Sequence, residues 1–173
     1  MTLLASNKPH ILYLSYTGLL EPLGRSQVLS YLEKLAVDYR ITLITSEKPE
    51  DCQNMSAISQ LSNELASSGI QWKFQRYHKS PRFLSSVWDM TLFFFSAMRV
   101  ILFDSVDLIH SRSYLASFVA LVLSVVTGRP FIFDMRAFWP EEMIAAGRLR
   151  RGSLTHRIIV LGEGLCLRRA AGV

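Results

Sequence analysis

The chain has 173 residues, with 19 Lys and Arg against 14 Asp and Glu, so its formal net charge is +5. Because 50% of the residues are hydrophobic and 19% are charged, the composition excludes a disordered chain and suffices for one domain with a buried core. The basic balance leaves nucleic acid, an anionic membrane and phosphorylated ligands open as partners. Cys52 and Cys166 stand far apart without metal-ligand spacing, so we expect no disulfide framework, no metal site and a reducing compartment.

We expect neither a signal peptide nor a membrane-spanning helix. Residues 1–9 lack a basic start that leads into a long apolar run. The two longest apolar stretches, Leu92–Phe103 and Leu115–Val126, are shorter than the roughly 20 residues that cross a bilayer, and Arg99 interrupts the first.

Strand and helix patterns alternate along the chain. The predicted strands lie at 11–16, 40–45, 70–77, 106–111 and 130–134. The predicted helices lie at 24–37, 55–68, 85–103 and 114–127, and residues 47–51 form a predicted turn. Long helical crossovers between strands predict a parallel sheet with right-handed connections and helices on both faces, which is an α/β, Rossmann-like, doubly wound fold.

The part of the chain from residue 138 onward is less regular. Pro140 suits the first turn of a short helix, and Ser153 suits the N-cap of a final helix. Gly162 and Gly164 weaken that final helix, so a strand at 158–161 stays open as an alternative.

A glycine-bearing loop, Gly18–Gln27, follows the first predicted strand and leads into the first helix. Doubly wound folds bind ligands at the carboxyl ends of their strands, where this loop lies. The N–H groups at a helix start attract phosphate, and Gly24 would let it approach, with Arg25 adding charge and Ser26 and Gln27 adding hydrogen bonds. The loop is equally compatible with a tight strand–helix turn, and it lacks the G-x-G-x-x-G spacing of dinucleotide sites.

Two polar residues leave the fourth predicted strand. His110 could bind a substrate hydroxyl or stabilise charge, and Arg112 could pair with phosphate. The structural alternative is a His whose ring is satisfied by the backbone and an Arg on the surface. The position at a strand end favours the functional interpretation.

The loop after the fifth strand combines acids, a cation and an aromatic ring. Asp134, Arg136, Trp139 and Glu141 together suit a sugar, because the ring can stack on C–H faces while the acids accept from hydroxyls. The structural alternative is an Asp134–Arg136 ion pair that holds the loop, with Phe138 and Trp139 in the core. We assign no catalytic residue and no metal ligand from the sequence.

The order and spacing of several segments resemble the N-terminal domain of family 4 retaining glycosyltransferases, which have the two-domain GT-B architecture. The resemblance covers nearly the whole chain. Its segments are Glu21–Gln27, Tyr39–Thr45 with Glu47–Pro49, Val106–Arg112, Gly128–Arg136 and, as the start of a following strand, Ala170–Val173.

The resemblance implies that residues 1–173 are a single Rossmann-like, acceptor-binding domain, cut before a C-terminal domain that binds most of the nucleotide-sugar donor. Hexosyl transfer would retain the anomeric configuration, and the isolated fragment would be inactive. The donor is a substrate, so no cofactor and no metal are implied. Where the family often has two adjacent glycines near the donor phosphates, only Gly24 matches here. His110 and the segment Asp134–Arg136 match loops that face the cleft in related enzymes.

The partners implied are the nucleotide-sugar, a glycan or lipid-linked acceptor of polysaccharide biosynthesis and the chain's own C-terminal domain. A cytoplasmic location follows, with peripheral contact to the inner membrane surface as one option. Basic and aromatic residues fit that option, and a solvated basic face over a buried helix is the alternative. They are Trp72, Lys73, Arg76, Tyr77, Lys79, Arg82, Arg148, Arg150, Arg151 and Arg157.

The helix at 85–103 has the same ambiguity. Its Phe93-Phe94-Phe95 run spreads apolar groups around the circumference, so the helix is either deeply buried or faces a partner or lipid.

Two other function classes remain to be weighed. A stand-alone flavodoxin-like or nucleotide-binding module is the main alternative, although Ser15–Thr17 stands where a receiver domain needs clustered acids. Nucleic-acid binding is not expected, because the basic residues form no RNA-binding motif and no recognition-helix pattern.

Overall fold

The computed structural model describes the chain at residues 8–78 and 82–173. Lys79 and most of the segment 1–9 discussed above lie outside these ranges, and the side chain of Arg82 is likewise not described.

Five parallel strands form the central sheet in the described part of the chain. They are β1 (His10–Ser15), β2 (Arg40–Glu47), β3 (Ile70–Arg76), β4 (Leu108–Arg112) and β5 (Phe131–Asp134), in the order β3-β2-β1-β4-β5. Every pairing is parallel, so the predicted doubly wound α/β fold is confirmed. After the last helix, Gly172 returns to this sheet through an isolated parallel bridge to Ile132.

Helices connect the strands and follow them. They are α1 (Pro22–Gly24), α2 (Ser30–Leu35), α3 (Met55–Ser67), α4 (Arg82–Phe103), α5 (Ser113–Thr127), α6 (Trp139–Ala145) and α7 (Leu154–Arg169). A π-helical turn, Arg25–Leu29, joins α1 to α2, so residues 22–35 form one helical segment. Ser153 caps α7 as expected, its Oγ accepting from the His156 N–H at 3.2 Å. The alternative strand at 158–161 is wrong, because these residues lie inside α7.

The sheet is covered on both faces, which explains the nearly continuous apolar sequences of its strands. Successive side chains of a strand point to opposite faces. Leu12 and Leu14 of β1 pack in a core under α4, α5 and α7, whereas Tyr13 packs in a second core under the segment 22–35 and α3.

The Phe-rich helix α4 combines both of its predicted environments. Phe93 and Ala97 are fully buried against the sheet, while Phe95 on the opposite side is exposed. Within the described residues, the stretch Ser85–Phe103 is long and apolar enough to cross a membrane by length and composition. In this structure its inner face belongs to the core of the domain.

Gly24 and Gly164 both lie in helices, but only Gly24 has other atoms close to where a Cβ would stand. A Cβ built on Gly24 would lie 2.1 Å from the carbonyl oxygen of Gly18, so the helical segment approaches the preceding loop at backbone distance. A Cβ on Gly164 of α7 meets no atom within 4 Å. Only the first glycine is therefore required by packing.

Substitution of these two glycines by alanine tests this packing. Gly24→Ala should lower the free energy of unfolding by about 2 kcal/mol or more, because backbone must shift to admit the methyl group. Gly164→Ala is the matched control and should raise it by about 0.5–1 kcal/mol through helix propensity. Urea unfolding followed by circular dichroism measures both, and equal effects of the two substitutions would contradict the close approach.

Candidate functional site

The site is at the carboxyl ends of β1, β4 and β5. Strands β1 and β4 are neighbours whose connections run to opposite sides of the sheet, so they define the topological switch point where doubly wound folds bind ligands. A cavity of about 260 Å³ opens there. Its lining residues are Gln27, Tyr31, His110, Ile132, Asp134, Arg136 and Val173.

His110 forms the floor between two tyrosines. It was predicted to leave the fourth strand, but it lies in the middle of β4 opposite Tyr13 of β1, and the two ring centroids are 4.6 Å apart. The ring of Tyr31, from the helical segment 22–35, meets the imidazole edge-on at 5.9 Å. Although His110 is buried, its Nε2 has no hydrogen-bond partner within the described ranges.

Asp134 ends β5 and lies between the guanidinium of Arg136 and the imidazole of His110. Its Oδ2 is 3.4 Å from Arg136 Nε and 3.9 Å from His110 Nε2, and the second distance is too long for a direct hydrogen bond. Burial by itself would raise the pKa of the Asp134 carboxyl, but His110, Arg136 and Arg112 outweigh it and hold that pKa below its ordinary value. The cavity therefore contains an ionised acceptor beside a buried ring nitrogen.

Arg112 does not line the cavity itself but contacts Gln27, which does. Its guanidinium is buried, which contradicts the alternative of a surface Arg, and its Nη2 donates to Gln27 Oε1 at 2.5 Å. Nη1 of the same group has no partner among the described residues. Burial and Asp134 raise the pKa of the neighbouring Tyr13 hydroxyl to about 12, with Arg112 acting in the opposite direction.

The loop after β1 is held by a carboxylate that the sequence analysis placed in a turn. Glu47 is instead the last residue of β2 and is fully buried. Its Oε1 accepts from the Leu19 N–H at 2.8 Å and from the Thr45 hydroxyl at 2.6 Å, and its Oε2 accepts from the Leu20 N–H at 3.1 Å. A buried carboxylate needs such donors, and here the loop backbone supplies them.

The hydrogen bonds of Glu47 weaken the prediction that this loop binds phosphate. The two N–H groups of Leu19 and Leu20 already bind an anion, the carboxylate of Glu47. Gly24 packs on Gly18, which explains a glycine there without any ligand. Contact of Gly24 with a donor phosphate stays a prediction.

The other residues of this loop that were predicted to contact a ligand lie in different environments. Arg25 is exposed and its guanidinium pairs with Glu64 of α3, away from His110 and Asp134. Ser26 is exposed in the π-helical turn. Gln27, in the same turn, is the member of the loop that lines the cavity. π-helical turns are rare and frequently occur at functional sites.

Trp139 and Glu141 lie on α6, outside the set of residues that line the cavity. Trp139 is half-buried and packs on Tyr114 with ring centroids 5.6 Å apart. Glu141 is exposed in the first turn of α6. Phe138 is 69% exposed, so the alternative that buried it with Trp139 is wrong for Phe138. The alternative Asp134–Arg136 ion pair is present, and both partners also line the cavity.

Sequence reasoning missed Tyr31, Ile132 and Val173 as lining residues. Tyr31 could have been found, because it follows Gln27 by four residues on the predicted helix and such residues share a face. Among the described residues, no group of three or more His, Cys, Asp or Glu could hold a metal ion.

Known proteins of the same fold include enzymes of two classes. The crystal structure of LpCGTa in complex with UDP superposes with a TM-score of 0.57 at 16% identity, covering 95% of this chain and 45% of that one. The fold is Rossmann-like and similar to a GT-B glycosyltransferase structure. A short-chain dehydrogenase from Oenococcus oeni PSU-1 gives a TM-score of 0.50 at 10% identity, covering 94% of this chain and 75% of that one.

At these identities the likeness shows the fold alone. The chain spans less than half of LpCGTa. No protein-family model and no curated protein matches the sequence.

Ionisation of Asp134 can be tested directly. Its carboxyl should titrate below 3.8, the ordinary Asp pKa, in carbon-detected NMR, and Arg136→Gln should raise that pKa by removing the adjacent cation. Because the folded pKa is depressed, the stability due to this carboxylate is complete above the unfolded pKa and is lost as pH falls through the folded one. Arg129→Gln, at the far end of β5, is the control. A pKa at or above 3.8 in the unmodified chain would refute the electrostatic description.

The Glu47 anchor gives a second prediction. Glu47→Gln places an amide NH₂ against a backbone N–H, so one buried donor loses its acceptor and the free energy of unfolding should fall by about 2 kcal/mol. Amide hydrogen exchange at Leu19 and Leu20 should accelerate. Exposed Asp38→Asn should leave both quantities unchanged. Slow exchange retained in Glu47→Gln would mean that the loop does not depend on this carboxylate.

Proposed function

We propose that this chain is the acceptor-binding part of a retaining glycosyltransferase that takes a hexosyl group from a nucleotide-sugar. The observation that carries the proposal is the composition of the cavity at the switch point. It combines a carboxylate, an imidazole, an amide and a guanidinium with an aromatic ring, in a space of about 260 Å³. Sugar hydroxyls both donate and accept, and this set offers both kinds of partner.

The charges in the cavity favour a hydroxyl-rich ligand over a bare phosphate. Asp134 is ionised and its attraction to Arg136 neutralises the accessible guanidinium. The loop N–H groups that could have bound phosphate are engaged by Glu47. In the proposed complex, Asp134 accepts from an acceptor hydroxyl, Gln27 adds a hydrogen bond and Tyr31 packs on the sugar ring.

The remaining parts of the proposal concern the rest of the enzyme. Most of the donor site would belong to a second domain, so these 173 residues alone would transfer no sugar. No catalytic residue is assigned in this half. The acceptor would be a glycan or a lipid-linked sugar on the cytoplasmic side of the membrane.

A stand-alone nucleotide-binding module is the second candidate, favoured by the similarity to the dehydrogenase. Dinucleotide sites of this fold use free N–H groups after the first strand to bind the pyrophosphate. In this chain, two such groups are bonded to Glu47 and the G-x-G-x-x-G spacing is absent. These features make the dinucleotide function the weaker candidate.

Binding experiments on the 173-residue chain separate the two candidates. In a glycan array followed by NMR titration, a bound oligosaccharide should shift the resonances of Tyr31 and His110. Asp134→Asn should weaken that binding about tenfold, because a hydrogen bond to a charged group is lost. Asp38→Asn is the matched control.

Two other outcomes would contradict the proposed function. Turnover of a sugar nucleotide by this chain alone would contradict its role as an incomplete half. Binding of NADH or a flavin, with no shift on any glycan, would contradict the acceptor role and support the nucleotide-binding module.

A further inference from the structure

The outer face of α4 carries large apolar side chains at helical spacing. Trp88, Phe95 and Leu102 follow one another every seven residues and are 57%, 61% and 68% exposed. Residues seven apart lie on one face of a helix. Phe103 adds to the same end and is also exposed. Soluble surfaces rarely expose apolar patches of this kind without a binding role.

The exposed residues Trp88, Phe95 and Leu102 form a stripe on α4. This stripe borders a groove between α4 and α5. The groove has a volume of about 620 Å³, and its walls include Val87, Met90, Phe94 and Phe95 of α4 and Phe118 and Val122 of α5. Val125 and Val126, one turn beyond Val122 on α5, are exposed as well. The outer surface of both helices is therefore apolar along most of its length.

The exposed charged residue within the face is a cation, whereas Asp104, directly after α4, is partly exposed and lies 3.8 Å from Lys73. The acid of α4, Asp89, is fully buried and accepts from His78, with Nδ1 and Oδ1 2.6 Å apart. Helix α5 has no charged residue. Arg99 is exposed within the stripe, and Arg129 is exposed just after α5. The α4–α5 face thus presents cations and no exposed carboxylate from either helix.

We propose that the α4–α5 face docks on the surface of an anionic phospholipid bilayer, with α4 lying in the interface. This inference goes beyond the proposed transferase function and does not depend on it. A helix with an apolar aromatic face and basic neighbours binds in this way, because apolar burial adds to attraction for anionic headgroups. Full crossing by α4 is incompatible with this fold, since Phe93 and Ala97 on its inner face pack against the sheet.

The inner face of α4 contacts the residue that follows β1. Tyr16, the residue after β1, packs on Phe93 of α4 with ring centroids 5.7 Å apart, and it also contacts Tyr77 beyond β3. The first half of α4 therefore lies at the carboxyl edge of the sheet, the edge that contains the cavity. The cavity itself lies on the other face of the sheet, where Gln27 and Tyr31 of the segment 22–35 line it.

Co-sedimentation with vesicles tests the proposal on the complete chain. The chain should bind vesicles of phosphatidylglycerol and phosphatidylcholine, and the double substitution Trp88→Ser with Phe95→Ser should reduce partitioning at least about tenfold. Arg99→Gln should weaken binding to the anionic vesicles about fivefold and leave the weak binding to pure phosphatidylcholine unchanged. The matched control is Val37→Ser with Met55→Ser, two exposed apolar residues in the helical layer on the other side of the sheet, which should have no effect.

Folding and self-association are checked in the same samples. Circular dichroism should show equal melting of all variants, because the substituted side chains are exposed. Unchanged vesicle binding in the α4 double variant would overturn the proposal. The proposal would also be overturned if the chain bound no lipid and formed a dimer in sedimentation velocity that the double substitution dissociated. The face would then join two copies of the chain.

Discussion

The carboxylate of Glu47 is the constraint on which the candidate site depends. A fully buried anion is tolerated only where donors surround it, and the donors here are two loop N–H groups and one hydroxyl. These bonds hold residues 18–20 against the end of β2. They thereby set where the helical segment 22–35 begins. Gln27 and Tyr31 reach the cavity because their segment starts from this fixed point.

Close backbone contact and a surface ion pair complete the placement of that segment. Gly24 rests on the carbonyl of Gly18, and Arg25 pairs with Glu64 on α3. The exposed ion pair contributes little energy compared with the buried contacts. The site then combines three independently anchored pieces: the helical segment, His110 in β4 and Asp134 at the end of β5. Such anchoring on rigid elements suits recognition of a ligand with several hydroxyls.

The two faces of α4 show how one helix has two roles. Its inner residues, such as Phe93, complete the core beneath β1, and its outer residues, such as Trp88, contribute nothing to that core. Substitution of outer residues should therefore be nearly neutral for folding, which leaves their apolar character to be explained by an external partner. The exposed guanidinium of Arg99 within this face makes an anionic surface the matching partner.

Local patterns in the sequence determined the strands, most helix limits, the Ser153 cap and the position of Asp134 at the end of β5. These features depend on periodicities of two and 3.6 residues and on short-range hydrogen bonds, which are visible in one chain. Tertiary structure alone decided that Glu47 binds the loop, that Arg25 pairs with Glu64 of α3 and that Trp139 packs on Tyr114. Each of these joins residues from different elements, and the side of a neighbouring element that a residue meets is set by the packing of the whole sheet. The same packing assigned the inner and outer faces of α4, which its nearly uniform apolar sequence left open.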